Sequence, residues 1–131
     1  LALPNLSFHD FVPQDEVADY IAAADVSLVH LRDQPLFRTV IPSKIFEIMA
    51  MENPMVLAVE GESAGIVREA DAGLCVPSED PRAMADAVLA LAGDPDLRAR
   101  LGAHGLAHVR AHYDRRVLAA RVLDTFEQVT A

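Results

Sequence analysis

The chain has 131 residues, a net charge of -9 and an apolar content of 52%. This length and composition describe one globular domain with an aliphatic core and exclude an intrinsically disordered segment. The acidic balance argues against binding to nucleic acid or to an anionic membrane surface, because both need clustered Lys and Arg.

Apolar periodicity predicts alternating strands and helices along the first part of the chain. Residues 5–11 have the composition of a strand that stops at Pro13, and residues 15–25 carry apolar side chains at helical spacing. Residues 26–31 form a near-continuous apolar run, which is typical of a strand covered on both faces of a parallel sheet. The polar loop 32–42 is long for a connection in a compact domain, and such loops often carry function.

The rest of the chain contains clear start and stop signals for helices. Ser43 is a suitable N-cap for a helix predicted over residues 44–52. Two Asp-Pro pairs, Asp80-Pro81 and Asp94-Pro95, supply a capping carboxylate followed by proline at the first helical position. The other predicted elements are strands over residues 54–59 and 73–77 and helices over residues 63–70, 81–93, 96–112 and 115–129.

This order of elements predicts an α/β fold, with a parallel sheet covered by helices on both faces and further helices at the C-terminal end. Ligands of such sheets bind outside the carboxyl ends of the strands. The loop 32–42, Ser43 and the turn 60–63 should all lie at that edge. Three candidate features are therefore expected to meet at one edge of the sheet.

Lys44 is the only lysine of the chain and stands at the start of a predicted helix. Lys44 and Glu47 are three positions apart and so share one helix face. A helix start with a lysine and the Ser43 hydroxyl favours phosphate or carboxylate, and Glu47 could accept hydrogen bonds from vicinal hydroxyls. The alternative is a Lys44–Glu47 ion pair on a solvated face, and the residues alone leave both interpretations open.

Two further residue types are interpreted as structural. His104, His108 and His112 are spaced four apart and predict an exposed stripe on a helix, since a metal site would need a carboxylate or thiol from another element. Cys75 is the only cysteine, so an intramolecular disulfide is excluded. It lies in an apolar run and is interpreted as a small buried side chain in a reducing, cytoplasmic setting.

Three segments, residues 5–29, 43–91 and 94–123, together resemble the C-terminal, nucleotide-sugar-binding domain of the family 4 retaining glycosyltransferases of GT-B fold. The resemblance implies a Rossmann-like sheet and assigns residues 1–131 to part of that donor-binding domain. The first part of the domain and the N-terminal acceptor domain would lie outside this chain, which is expected to be inactive alone. The "PSK" sequence before the "FEIMA" helix resembles bacterial transferases that build surface polysaccharides.

The resemblance also implies which residues bind the nucleotide-sugar. Family members carry two glutamates eight positions apart; Glu47 matches the second, which holds the ribose hydroxyls, whereas Thr39 replaces the first, which contacts the donor sugar. Lys44 would add a cation beside the diphosphate or an acidic sugar, and residues 62–64 would present backbone N–H groups at a helix start. The predicted nucleotide-sugar-binding residues are Thr39, Ser43, Lys44, Glu47, Glu62 and Ser63.

The activity implied is transfer of a sugar from a nucleotide-diphosphate donor to a hydroxyl of a carbohydrate or lipid-linked acceptor, with retention. No catalytic side chain is assigned, and no metal or other cofactor is expected, because backbone N–H groups and cations stabilise the leaving diphosphate. Nucleic acid is not an expected partner, and any peripheral membrane contact would use regions outside this chain. Two alternatives remain: another GT-B enzyme such as a nucleotide-sugar 2-epimerase, or a non-catalytic α/β interaction module.

Overall fold

A computed structural model describes residues 3–130, and within them three parallel strands form one sheet in the order β1-β2-β3. The strands are β1 (Ser27–His30), β2 (Met55–Ala58) and β3 (Gly73–Cys75). Ser27 is registered with Met55, and Met55 with Gly73. Each strand is followed by a helix before the next strand begins. The predicted parallel α/β fold is confirmed.

Helices account for most of the remaining described residues. Asp80 accepts hydrogen bonds from the N–H groups of Arg82 and Ala83, and Asp94 accepts one from that of Leu97, so both predicted Asp-Pro caps are confirmed. A short 3-10 helix, Pro35–Arg38, interrupts the long loop. The α-helices are α1 (Val17–Ala23), α2 (Lys44–Ala50), α3 (Glu62–Ala70), α4 (Pro81–Gly93), α5 (Pro95–His112) and α6 (Arg115–Thr130).

The core lies on both faces of the sheet, which explains why every residue of β2 is buried. On one face, Met55 and Leu57 pack with apolar residues of α2, α3 and α5. On the other face, Val56 packs with Leu91 of α4 and Leu101 of α5. Because successive strand residues point to opposite faces, a continuous apolar run is what a two-sided core requires. The predicted cover of helices on both faces is confirmed.

Asn53, just before β2, joins three elements through its buried side chain. Its amide nitrogen donates to the carbonyl groups of Ile21 and Ala24, and its amide oxygen accepts from the Ser27 hydroxyl at 2.9 Å. These bonds fix the end of α1 against the start of β1. A buried amide with this number of partners is satisfied, so it strengthens the local structure.

The strand predicted over residues 5–11 is wrong, because the structure has no strand there. A strand needs a hydrogen-bonded neighbour, and no strand of the described residues pairs with this segment. Phe8 and Phe11 are 87% and 94% exposed, and Leu28 on β1, an edge strand of the sheet, is 50% exposed. The segment has the side chains of a strand but not the contacts that form one.

The C-terminal helices α5 and α6 carry no apolar span of membrane length. Along residues 3–130, we find no helix that combines the length and apolarity needed to cross a bilayer. α6 nevertheless exposes several large apolar side chains. These are Leu118, Val122, Leu123, Phe126 and Val129.

Candidate functional site

The long loop after β1 lies against the turn after β2, at the carboxyl edge of the sheet. The Arg38 guanidinium is 3.1 Å from the carboxylate of Asp33 on the same loop and 3.4 Å from that of Glu60 on the turn. All three side chains are about half exposed. The structure therefore brings the loop and the turn to one edge, as the sequence predicts.

Gly61 of the turn and Ser63 in the first turn of α3 make closer contacts with the loop. Gly61 has a φ of +79°, and a Cβ placed on it would lie 2.0 Å from the carbonyl oxygen of Arg38. Ser63 is completely buried, and its hydroxyl donates to the carbonyl oxygen of Val40 at 2.9 Å. The N-terminus of α3 is thus packed directly against the chain that leads into α2.

A cleft of about 400 Å³ lies between α1, the edge of β1 and the exposed face of α2. We call it the α1–α2 cleft. Its walls are mainly apolar, and its charged groups are the Lys44 ammonium and the Glu47 carboxylate. The lining includes the side chains of Val12, Val17, Tyr20, Leu28, Lys44 and Glu47.

Lys44 and Glu47 are both exposed at the surface of α2. Ile45, Ile48 and Met49 of the same helix are buried in the core, so the polar face of α2 is turned towards the cleft. Neither charged side chain forms an ion pair or hydrogen bond with any residue of the described chain. The Lys44–Glu47 ion pair that the sequence left open is not formed, and both groups are free to contact a ligand.

The predicted cap at Ser43 is wrong. Ser43 already has helical angles, φ -55° and ψ -30°, and its side chain makes no capping hydrogen bond. A capping hydroxyl reaches the first N–H groups of a helix only from an extended residue. The N–H of Ile45 instead bonds to the carbonyl of Pro42 at 3.1 Å, and that of Phe46 to Ser43 at 3.0 Å.

The other predicted site residues are divided between the loop and the start of α3. Thr39 ends the 3-10 helix, is exposed and donates its hydroxyl to the carbonyl of Leu36 at 3.0 Å. Glu62 is exposed in the first turn of α3, where no side chain caps the helix. The Ser63 hydroxyl is buried and already bonded, so this side chain is not available to a ligand. The structure brings Lys44 and Glu47 into one cleft and leaves Thr39, Ser43, Glu62 and Ser63 outside its lining.

Arg38 and Gly61 were not singled out from the sequence, although both shape this edge. The signal for Gly61 is its place between a buried strand and a helix, where a left-handed residue is common. Arg38 gave no comparable signal, since its partners are five positions before it and twenty-two after it. A cleft of about 340 Å³, separate from the α1–α2 cleft, lies at the carboxyl ends of the strands, and its lining includes His30, Arg32, Glu79, Asp80, Pro81 and Met84.

Cys75 and the three histidines were interpreted from the sequence as structural, and the burial of Cys75 differs from that expectation. Cys75 is half-buried rather than buried, and burial raises the pKa of its thiol, while the Arg68 guanidinium opposes the rise. His104 and His112 are exposed, and the Nδ1 atom of His104 lies 3.0 Å from the Asp71 carboxylate.

His108 is the partly buried member of the histidine stripe. Burial and then the neighbouring His112 lower the pKa of His108, and Glu69 opposes this shift. The His108 and His112 rings have centroids 4.6 Å apart. Among residues 3–130, no three histidine, cysteine or acidic side chains are arranged to hold a metal ion.

Comparison with known sequences gives a family match over most of the chain. The sequence model of the family described as "Glycosyl transferases group 1" matches residues 1–94. A D-inositol 3-phosphate glycosyltransferase of Nocardioides sp. is 30% identical over 128 residues, which cover 98% of this chain and 27% of that protein. A protein of the same name from Thermobispora bispora is 29% identical over 88% of this chain and 26% of its own length.

Two further proteins are similar over different lengths. A phosphatidyl-myo-inositol mannosyltransferase of Mycobacterium leprae is 34% identical over 85 residues, 65% of this chain and 22% of that protein. Sucrose-phosphate synthase from Thermosynechococcus elongatus has a similar fold, with a TM-score of 0.73 and 24% identity, over 95% of this chain and 30% of that chain. The chain spans about a quarter of the length of the curated relatives it matches.

Proposed function

Because the chain belongs to the group 1 glycosyl transferases, we propose that it is part of the donor-binding domain of an enzyme that transfers a sugar from a nucleotide-diphosphate donor. The acceptor is a hydroxyl group of a carbohydrate or a lipid-linked glycan, and the transfer retains the anomeric configuration. The rest of the donor-binding domain and an acceptor-binding domain belong to the same protein. The relatives that bear glycosyltransferase names support the class of reaction.

The observation that carries this proposal is the pair of unpartnered charges in the α1–α2 cleft. A volume of about 400 Å³ with apolar walls accommodates a nucleoside. Glu47 is a carboxylate without a partner among the described residues, so it can accept hydrogen bonds from both hydroxyls of a ribose. Lys44, one turn before it, offers an ammonium to the diphosphate. The two groups match the two polar parts of a nucleotide.

The chemistry expected of these residues is positioning and electrostatic stabilisation. As the bond between sugar and diphosphate breaks, negative charge builds on the leaving phosphate, and a nearby cation lowers the energy of that state. Lys44 supplies such a charge, and the N–H groups at residues 62–64 add donors at the start of α3. No side chain of this chain is proposed as a nucleophile, and no metal ion is proposed.

Thr39 stands where the family resemblance predicts a glutamate that contacts the donor sugar. Its hydroxyl is exposed on the loop but donates to Leu36, which leaves only its oxygen lone pairs for a ligand. A carboxylate at this position would accept hydrogen bonds from two sugar hydroxyls. We propose that the donor sugar makes weaker contacts here than in family members with glutamate.

The chain by itself is expected to show no transferase activity, because it holds only part of the proposed site. Purified residues 1–131 should turn over no nucleotide-sugar in a product-release assay and should bind nucleotide weakly. The whole protein, assayed with the same donors and acceptors, is the control. Turnover by the isolated chain would contradict the proposed division of the site.

The whole protein is expected to be stabilised by one nucleoside diphosphate among UDP, GDP and ADP. Ligand at about 100 times its dissociation constant adds about 2.7 kcal/mol to the free energy of unfolding, which raises Tm by several degrees. Thermal melting with each nucleotide measures the shift and identifies the base. Inorganic pyrophosphate is the control, since it offers the charge without the nucleoside. Equal melting temperatures with all three nucleotides would contradict the proposal.

A further inference from the structure

Residues 33–40 of the long loop are attached to the turn 60–63 by contacts outside the α1–α2 cleft. We call this set the loop anchor; it consists of Arg38 and Val40 on the loop, Glu60 and Gly61 on the turn, and Ser63 at the start of α3. The ion pair between Arg38 and Glu60 is exposed on both sides, so it contributes little to the anchor. The contacts of Ser63 and Gly61 with the loop contribute more to the anchor than this ion pair does.

The Ser63 contact is buried. The hydroxyl has no exposed surface, and its bond to the Val40 carbonyl is 2.9 Å long. A buried hydroxyl is rarely left without a partner, so separation of loop and turn is opposed unless water enters. Ser63 is therefore a polar core residue whose partner lies on a surface loop.

The Gly61 contact requires glycine for two reasons. Its φ of +79° is left-handed, and the Arg38 carbonyl oxygen occupies the space that a Cβ would take. Because the obstructing atom belongs to the backbone, a change of side-chain rotamer cannot relieve it. The loop can adopt this position only while residue 61 has no side chain.

The anchor is connected to α2 by a short and restricted segment. Val40 is four positions before Lys44, and Pro42 between them has a fixed φ. The Pro42 carbonyl accepts from the N–H of Ile45, which is buried in the core. A displacement at Val40 is therefore transmitted to the first turn of α2, where Lys44 projects into the cleft.

We infer that Ser63 is a positioning residue for nucleotide binding: its bond to Val40 fixes the loop and, through it, the orientation of Lys44 in the α1–α2 cleft. The inference rests on the proposed function, since it assigns nucleotide to that cleft. Ser63 itself does not touch the ligand. Its loss should weaken donor binding without affecting the acceptor.

The test compares Ser63→Ala with Ser78→Ala in the whole protein. The Ser78 hydroxyl also donates to a main-chain carbonyl, that of Ala58 at 3.2 Å, and its acceptor lies in β2 rather than in the loop 32–42. Kinetics are measured well below the melting temperature of each variant. Ser63→Ala should raise the donor KM about fivefold and leave the acceptor KM unchanged, whereas Ser78→Ala should match the wild type in both.

Limited trypsin digestion gives a second readout that does not depend on activity. Arg38 lies within the anchored loop, so release of the loop should speed cleavage after this residue several-fold in Ser63→Ala and not in Ser78→Ala. Gly61→Ala, at an exposed turn, should give the same two changes and serves as the second variant if Ser63→Ala fails to fold.

The outcomes separate the two proposals. A raised donor KM together with faster cleavage after Arg38 supports the positioning role. A donor KM in Ser63→Ala equal to that of Ser78→Ala, in a wild-type protein that binds nucleotide, overturns the positioning role alone. A wild-type protein that binds no nucleotide overturns the proposed function, and the positioning role with it.

Discussion

Replacement of Glu47 by alanine in the whole protein is expected to raise the donor KM and to lower kcat/KM at least tenfold, which corresponds to about 1.4 kcal/mol or more. The carboxylate lies in the α1–α2 cleft without a partner among the described residues, so its removal breaks no hydrogen bond or ion pair within them. Among the residues that line this cleft, Glu47 is the one with a carboxylate, and no second acid can replace it. Steady-state kinetics at varied donor concentration measure the effect.

Two variants distinguish the role of Glu47 from a general effect of charge. Glu47→Gln keeps the size of the side chain but removes the negative charge, and it should retain part of the donor affinity through its amide oxygen. Glu69→Ala removes an exposed carboxylate from α3, away from the cleft, and should leave the kinetics unchanged. Near wild-type kinetics for Glu47→Ala would show that Glu47 is a surface carboxylate with no role in donor binding.

The parts of the fold that local chemistry determines were predicted from the sequence. The caps at Asp80 and Asp94 depend only on the residues next to them, and the buried strand β2 has an apolar run that no exposed strand would carry. Residues 5–11 could not be predicted in this way. Whether they form a strand depends on a partner distant in sequence, and none of the described residues provides one.

The same distinction between local and distant contacts applies to the residues of the candidate site. Helical spacing placed Lys44 and Glu47 on one face of α2, and the structure agrees because that spacing is a local property. The use of the Ser63 hydroxyl could not be predicted, since its acceptor on Val40 lies 23 positions earlier. Ser43 failed as a cap because its own backbone is already helical, which composition does not reveal.

Gly102→Ala is expected to destabilise the protein by about 1–3 kcal/mol or more, although alanine is the better helix former. Gly102 is buried on α5 where this helix packs against the end of α2. A Cβ there would lie 2.2 Å from the carbonyl oxygen of Glu52, a backbone atom that cannot rotate away. The two helices would have to separate, and denaturant unfolding of the whole protein measures the loss.

Gly65→Ala is the matched control, because it places the same methyl group inside a helix where, apart from the adjacent residues and the local helix backbone, no atom lies within 4 Å. Alanine should stabilise α3 by about 0.5–1 kcal/mol at this exposed position. If the free energy of unfolding falls in Gly102→Ala and rises in Gly65→Ala, the effect of helix packing is separated from the effect of helix propensity. Since α2 carries Lys44 and Glu47, its displacement in Gly102→Ala should also raise the donor KM. If both variants unfold at a higher free energy than the wild type, the close packing of Gly102 against Glu52 is contradicted.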